Sequence, residues 1–261
     1  MMKPLRIASQ SAWVVVLAIA IGHDIAAAEK EKAKSGIPSV DTSGFVSLFD
    51  GRTLQGWKAA DMSWWSVEEG AITAKITMQK PCDKNQYLFC EVGEMKDFEL
   101  KLVHRIITTQ QVNCGFQFRS EHYQDADCKG YQVDNNTETS WLVRLYDEFG
   151  RHTLAWHGQR TVFDSSGKRT DTPIGPSIED AKSSDSTQNQ PLFDLHQWHE
   201  YHLICQGERL TLKVNGQLVA EVVDKDPQQQ DLSGLLALQL HSGPVMKVQF
   251  KDIRYKVLPA H

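Results

Sequence analysis

The stretch NCGFQFRSEHYQDADCKGYQVDNN, Asn113 to Asn136, decides how this chain is read. Phe116 and Phe118 alternate with Gln117 and Arg119, and after a polar loop Tyr131 and Val133 alternate with Gln132 and Asp134. A period of two is that of an extended strand, whose successive side chains point to opposite faces. The two segments predict a pair of strands with one apolar face and one face of Gln, Arg and Asp. That second face either meets water, as one side of an antiparallel sheet commonly does, or is a polar floor on which something binds.

Working outward, the same alternation recurs. Arg144 and Tyr146 alternate with Val143 and Leu145, and Gln239 and His241 with Leu238 and Leu240. Four segments thus carry polar pairs at spacing two: Gln117/Arg119, Gln132/Asp134, Arg144/Tyr146 and Gln239/His241. A merely solvated face is usually Thr, Ser, Lys and Glu. Here planar amide, guanidinium, carboxylate and imidazole groups dominate, with the aromatics Trp141, Trp156 and Tyr123 close in sequence. Sugar hydroxyls both donate and accept hydrogen bonds, and the C–H faces of sugar rings stack on aromatic rings, so this composition points to carbohydrate.

Fourteen candidate strands can be marked between Gly44 and Leu258, separated by Gly, Asn and Asp turns, with no long 3.6-period segment carrying helix caps. Asn215-Gly216 is a strong hairpin signal. The pattern predicts an all-β fold, a large antiparallel sandwich of jelly-roll type made of two sheets. Residues 164–190, rich in Ser, Thr and Pro, read as an inserted surface loop.

The chain has 261 residues, 41% hydrophobic and 23% charged, with a net charge of -5. That balance argues against a nucleic-acid surface. Lys3 and Arg6 precede the apolar run Trp13–Ile21, which is too short to span a bilayer and is followed by small residues up to Ala28. Residues 1–28 are expected to be a signal peptide, 29–43 a linker and 44–258 the folded domain, in a periplasmic or secreted protein with no stable membrane insertion after cleavage. Export permits disulfides. All five cysteines follow residue 28, and the pairs expected from proximity in sequence are Cys82–Cys90 and Cys114–Cys128, with Cys205 a buried thiol.

Several blocks resemble the 3-keto-disaccharide hydrolase family. GFVSLFDGRTLQGWKA (44–59) and WWSVEEGAIT (64–73) are similar to its opening, and DFELKLVHRI (97–106), NCGFQFR (113–119), KGYQVD (129–134) and VRLYDEFGRHTLA (143–155) to its successive segments. HQWHEYHLICQGERLTLKVNG (196–216) and SGLLALQLHSGPVMKVQFKDIRY (233–255) resemble its closing part. Cys114 stands where the family has Ser, Val103 where many members have an acidic residue, and His199 where Asn is common. The resemblance implies a concanavalin A-like jelly roll in an exported bacterial protein acting on sugars oxidised to a ketone at carbon 3.

Such a ketone acidifies the proton on carbon 2. Its removal permits expulsion of the group on carbon 1, and hydration completes glycoside cleavage. The candidate catalytic residues are His241 as base, Asp134 as rival base or orienting group, Arg119 on the enolate oxygen, and Glu148 or Tyr146 as acid. Gln117, Gln132, Gln239, Tyr146, Arg144 and Trp156 are the candidate substrate contacts. No cofactor is required by any motif. A divalent metal held by Asp134, Glu148 and His241 is one option. The alternative function is a carbohydrate-binding, lectin-like module without chemistry.

Overall fold

The computed structural model describes residues 41–137, 143–175 and 194–260. The expected signal peptide and most of the linker lie outside these, as do Trp141 and residues 176–190 of the expected insertion. No helix among the described residues is long and apolar enough to cross a membrane.

Among the described residues seventeen strands follow in order: β1 (Val46–Ser47), β2 (Trp57–Ala59), β3 (Trp65–Glu68), β4 (Ala71–Ile76), β5 (Gln86–Cys90), β6 (Phe98–Ile107), β7 (Asn113–Tyr123), β8 (Asp127–Asn136) and β9 (Val143–Glu148). Then come β10 (His152–Ala155), β11 (Gln159–Phe163), β12 (Arg169–Pro173), β13 (His199–Gln206), β14 (Arg209–Val214), β15 (Gln217–Asp224), β16 (Leu235–Leu240) and β17 (Met246–Val257). They form a jelly-roll sandwich. The larger sheet runs β12-β11-β15-β14-β13-β6-β17-β4-β3, with β1 beside β17; the smaller runs β10-β9-β8-β7-β16-β5-β2. The alternating apolar side chains of both sheets meet in one core, with Phe116, Phe118, Val133, Leu145, Leu238 and Leu240 facing Leu100, Leu203, Leu212 and Phe250.

The hairpin expected at Asn215-Gly216 joins β14 to β15, with positive φ at both turn residues (50° and 79°). That is the combination a tight hairpin turn demands of Asn-Gly. Two expectations are corrected. The sheets are not wholly antiparallel, because β11 joins β15 in parallel. The segment expected to be a loop from residue 164 onward instead continues into sheet: Asp164–Lys168 is a turn closed by the Asp164 carboxylate, and β12 returns along β11. Its Thr and Arg side chains face water, so no hydrophobic periodicity announced it.

All five cysteines are free thiols and buried, contrary to the pairing expected from proximity in sequence. Cys114 is opposite Asn135 and Cys128 is opposite His122, near the two ends of the β7–β8 ladder. Cys114 lies in the main core, whereas Cys128 packs with Tyr87, Phe89 and Ala237 on the other face of the sheet. Cys82 bridges to Gly243 while Cys90 ends β5 beside Trp57. An intervening extended strand holds each pair apart.

Candidate functional site

The outward face of the smaller sheet is a grid fixed by strand register. In one row Tyr146, Gln132, Gln117, Ala237 and Phe89 are cross-strand neighbours on β9, β8, β7, β16 and β5. In the next row Arg144, Asp134, Gly115, Gln239 and Tyr87 follow. Glu148, Gly130, Ser120 and Leu235 make the row on the opposite side.

The amides on this grid are joined in a chain. Gln117 Nε2 donates to Gln132 Oε1 (3.3 Å), Gln132 Nε2 to Gln239 Oε1 (2.8 Å), and Gln239 Nε2 to the Tyr87 hydroxyl (3.1 Å). Ser120 Oγ donates to Gln117 Oε1 at the other end (3.0 Å). Gln132 reaches two strands to Gln239 because Gly115 has no side chain in its way. A Cβ at Gly115 would lie 2.9 Å from Gln132 Nε2 and 2.2 Å from the Val133 carbonyl oxygen. All three glutamines are almost wholly buried, so their mutual satisfaction is what makes the floor tolerable.

Beside the amide chain lies an ion pair. Arg144 Nε donates to Asp134 Oδ2 at 2.6 Å, and Arg144 Nη1 to Thr153 Oγ1 at 2.9 Å. The guanidinium also lies 4.5 Å from the Tyr146 ring and 5.3 Å from that of Trp156. Burial raises the Asp134 carboxyl, and the Arg144 charge opposes this. Among the described residues, the buried Asp134 Oδ1 has no hydrogen-bond partner. Tyr146 shares a hydrogen bond with His152 Nδ1 (2.9 Å). Glu148, half-buried at the end of β9, is pushed up to about 7, first by burial and then by Asp127, with Asp134 and Asp147 adding and Arg144 opposing. Among the described residues it has no ion pair or hydrogen bond through its carboxyl.

The structure therefore brings Gln117, Gln132, Gln239, Asp134, Arg144, Tyr146, Trp156 and Glu148 to one face. His241 is just past β16, beside the Asn113 end of that face and within electrostatic reach of Asp134, with its Nδ1 2.6 Å from the Ser242 carbonyl oxygen. Arg119 does not join them. One extra residue enters β7 between Phe118 and Ser120 relative to both neighbouring strands. Arg119 is that residue, with φ 47°. Both neighbours are glycines at the contact: a Cβ on Gly130 would lie 2.8 Å from Ser120, and one on Gly234 2.4 Å from the Arg119 carbonyl carbon. The bulge restores the alternation with Ser120 outward and sends Arg119 into the end of the sandwich. There its guanidinium donates to the carbonyls of Lys96, Gly207 and Asp231 and approaches Asp97 at 3.5 Å. It ties loops together and does not face a substrate on the grid.

The metal option for Asp134, Glu148 and His241 is not assembled by the fold. No group of three or more His, Cys, Asp and Glu is placed to hold an ion among the described residues. Glu148 and His241 stand at opposite corners of the grid, three strands and six residues apart, on the order of 20 Å on a flat sheet. Asp134 between them is taken by Arg144. Residues the sequence reading missed are Tyr87, Ser120, Gly115 and Thr153. Tyr87 alternates with Leu88 in its own strand, but only the pairing of β5 with β16 brings it to the glutamines.

Fold and face together define a jelly-roll sandwich whose smaller sheet carries an amide-lined polar floor. The chain belongs to the 3-keto-alpha-glucoside-1,2-lyase-like family, whose sequence profile it matches over residues 44–256. A carbohydrate-related function goes with that membership. No curated protein matches the sequence. Among solved structures, the chain is similar to carbohydrate binding module CBM66 from Bacillus subtilis, at 14% identity, with 77% of this chain and 95% of that one covered and a TM-score of 0.49. It is also similar to a Bacillus licheniformis beta-glucanase, at 10% identity, 86% and 100% coverage and TM-score 0.49. A galectin-like protein of unknown function from Bacillus subtilis matches at 12% identity, 86% and 95% coverage and TM-score 0.49. Identities this low carry no residue roles across.

Proposed function

We propose that this protein cleaves glycosides already oxidised to a ketone at carbon 3, with Glu148 moving the proton on carbon 2. The observation that supports this most is the place of Glu148, a half-buried carboxyl at the end of β9 beside Tyr146, pushed up to about 7 first by burial and without a salt bridge among the described residues. A group that titrates near neutrality is ionised often enough to accept a proton and basic enough to hold it. Glu148 takes the proton from carbon 2, and the electron pair moves into the carbon-3 carbonyl as an enolate. The enolate collapses, the bond from carbon 1 to its oxygen substituent breaks, and that oxygen takes a proton from the Tyr146 hydroxyl. Water adding across the resulting double bond makes the sum a hydrolysis. Tyr146 stands next to Glu148 on the same face, Trp156 offers a ring face, and Arg144, paired with Asp134, is the cation two rows from the carboxyl. Export, read from the apolar run at 13–21, belongs to the same proposal.

His241, the base preferred on sequence grounds, is too far from Glu148 to act on the same pair of carbons, so the two are rival bases. The test is release of free sugar from a 3-keto disaccharide, with and without a chelator. Glu148→Gln should lower kcat by about 100-fold or more, with His241→Ala close to the parent. The reverse pattern assigns the base to His241, and loss of activity in chelator makes a metal part of the reaction.

A second reading is favoured by one observation: the glutamine chain is satisfied within itself, as a floor that only binds would be. Sugar binding without any release by the parent protein would establish that reading.

A further inference from the structure

The outward face of the larger sheet carries cations where strand pairing makes them costly. Lys213 on β14, His202 on β13, Lys101 on β6 and Arg254 on β17 are successive cross-strand neighbours in one row. Strands are about 4.8 Å apart, and like charges directly opposite destabilise a sheet. Lys75 and Lys247 are likewise opposed on β4 and β17. Carboxylates answer part of this: Glu99 meets His202 (2.8 Å) and Lys256 (3.4 Å), and Glu200 meets Arg254 (3.6 Å). Glu68 meets Lys75 (2.6 Å) and lies within the field of Lys247, while Lys101, Lys213 and Lys251 have no carboxylate within salt-bridge distance among the described residues. Burial lowers the His202 imidazole, Glu99 opposes this, and Lys101 and Lys213 lower it further, which places both lysines close to the ring. Trp198, just before β13, has the Arg105 guanidinium 4.2 Å and the Lys251 ammonium 4.3 Å from its ring.

A chain of net charge -5 has no general need for such a face. We infer that the outer face of the larger sheet, along Lys213, Lys101, Lys247 and Lys251 with Trp198, binds an anionic polysaccharide. The cations match carboxylate or sulfate groups repeated along an extended polymer, and the indole matches a pyranose ring. A long, flat, pleated surface suits an extended chain more than a compact ligand. The face is on the sheet that does not carry Glu148, so the inference stands apart from the proposed cleavage.

The experiment is retention of the full chain on immobilised polyuronate and on a neutral glucan, between about 0.02 M and about 0.5 M salt, across which screening shortens several-fold. Retention on polyuronate alone, lost at high salt and weakened at least about tenfold in the double variant Lys101→Glu, Lys213→Glu, supports the inference. That variant should also keep a thermal midpoint at or above the parent's, because it removes like-charge opposition. No retention by the parent, retention unchanged in the variant, or stronger binding to phosphatidylglycerol vesicles or duplex DNA than to polyuronate would overturn it.

Discussion

Replacing Glu148 by glutamine should stabilise the protein at alkaline pH and leave it unchanged in acid. The carboxyl moves from an ordinary value of 4.5 to about 7 on folding, chiefly because burial and neighbouring carboxylates disfavour its charge. At 1.36 kcal/mol per pH unit this is roughly 3 kcal/mol at most. The group is partly exposed, and solvent screening reduces the figure to about 1–2 kcal/mol. The sign follows from which state holds the proton. Below 4.5 both folded and unfolded chains are protonated and nothing is lost. Between 4.5 and 7 the unfolded chain ionises while the folded one keeps its proton, so stability falls as pH rises. Above 7 the folded protein carries the full cost. Glutamine has no such cost. Urea melts of parent and variant at pH 8 should therefore differ by about 1–2 kcal/mol in the variant's favour, equivalent to about 2–8 °C in Tm for a domain of this size. At pH 4 they should coincide. A variant that is less stable at both values, by the same amount, would refute the reasoning, since Glu148 would then be a structural partner and not a strained acid. Higher stability with lost turnover is the trade expected of a functional group.

Two further outcomes test the floor and the thiols. Gly115→Ala puts a Cβ against the Val133 carbonyl and Gln132 Nε2; it should cost about 3 kcal/mol in a urea melt and lower sugar affinity together, through parting of β7 from β8 and loss of the Gln132–Gln239 bond. Alkylation of the urea-unfolded protein without reductant should add five adducts by mass, with native protein labelled slowly, because every thiol is buried and burial raises Cys82, Cys90, Cys114, Cys128 and Cys205; fewer adducts would mean that bridges form.

The fold class was legible in the alternation itself. A period of two with apolar residues on one phase can bury only one way, and Asn215-Gly216 can turn the chain without a Cβ clash, so local chemistry alone dictates strands and hairpins. The phase of the polar set was legible for Gln117, Gln132, Asp134, Arg144, Tyr146 and Gln239 for the same reason. Arg119 shows where the counting breaks. A single inserted residue reverses the phase of everything after it, and the room for that insertion is made by Gly130 and Gly234, which are remote from Arg119 in the chain and adjacent only in the sheet. The cysteine pairing failed for a similar cause: neighbours in sequence were set at opposite ends of extended strands.

The sequence by itself thus determined an all-β sandwich and which residue types line its polar face, because side-chain alternation is a property of each strand taken alone. Tertiary structure decided which of those residues meet. Register and packing place Tyr87 at the end of the glutamine chain, separate His241 from Glu148, and half-bury Glu148 with carboxylates beside it, which pushes its carboxyl up to about 7. Those are relations between strands distant in sequence, and only the packed sheet, where low dielectric and fixed spacing act together, sets them.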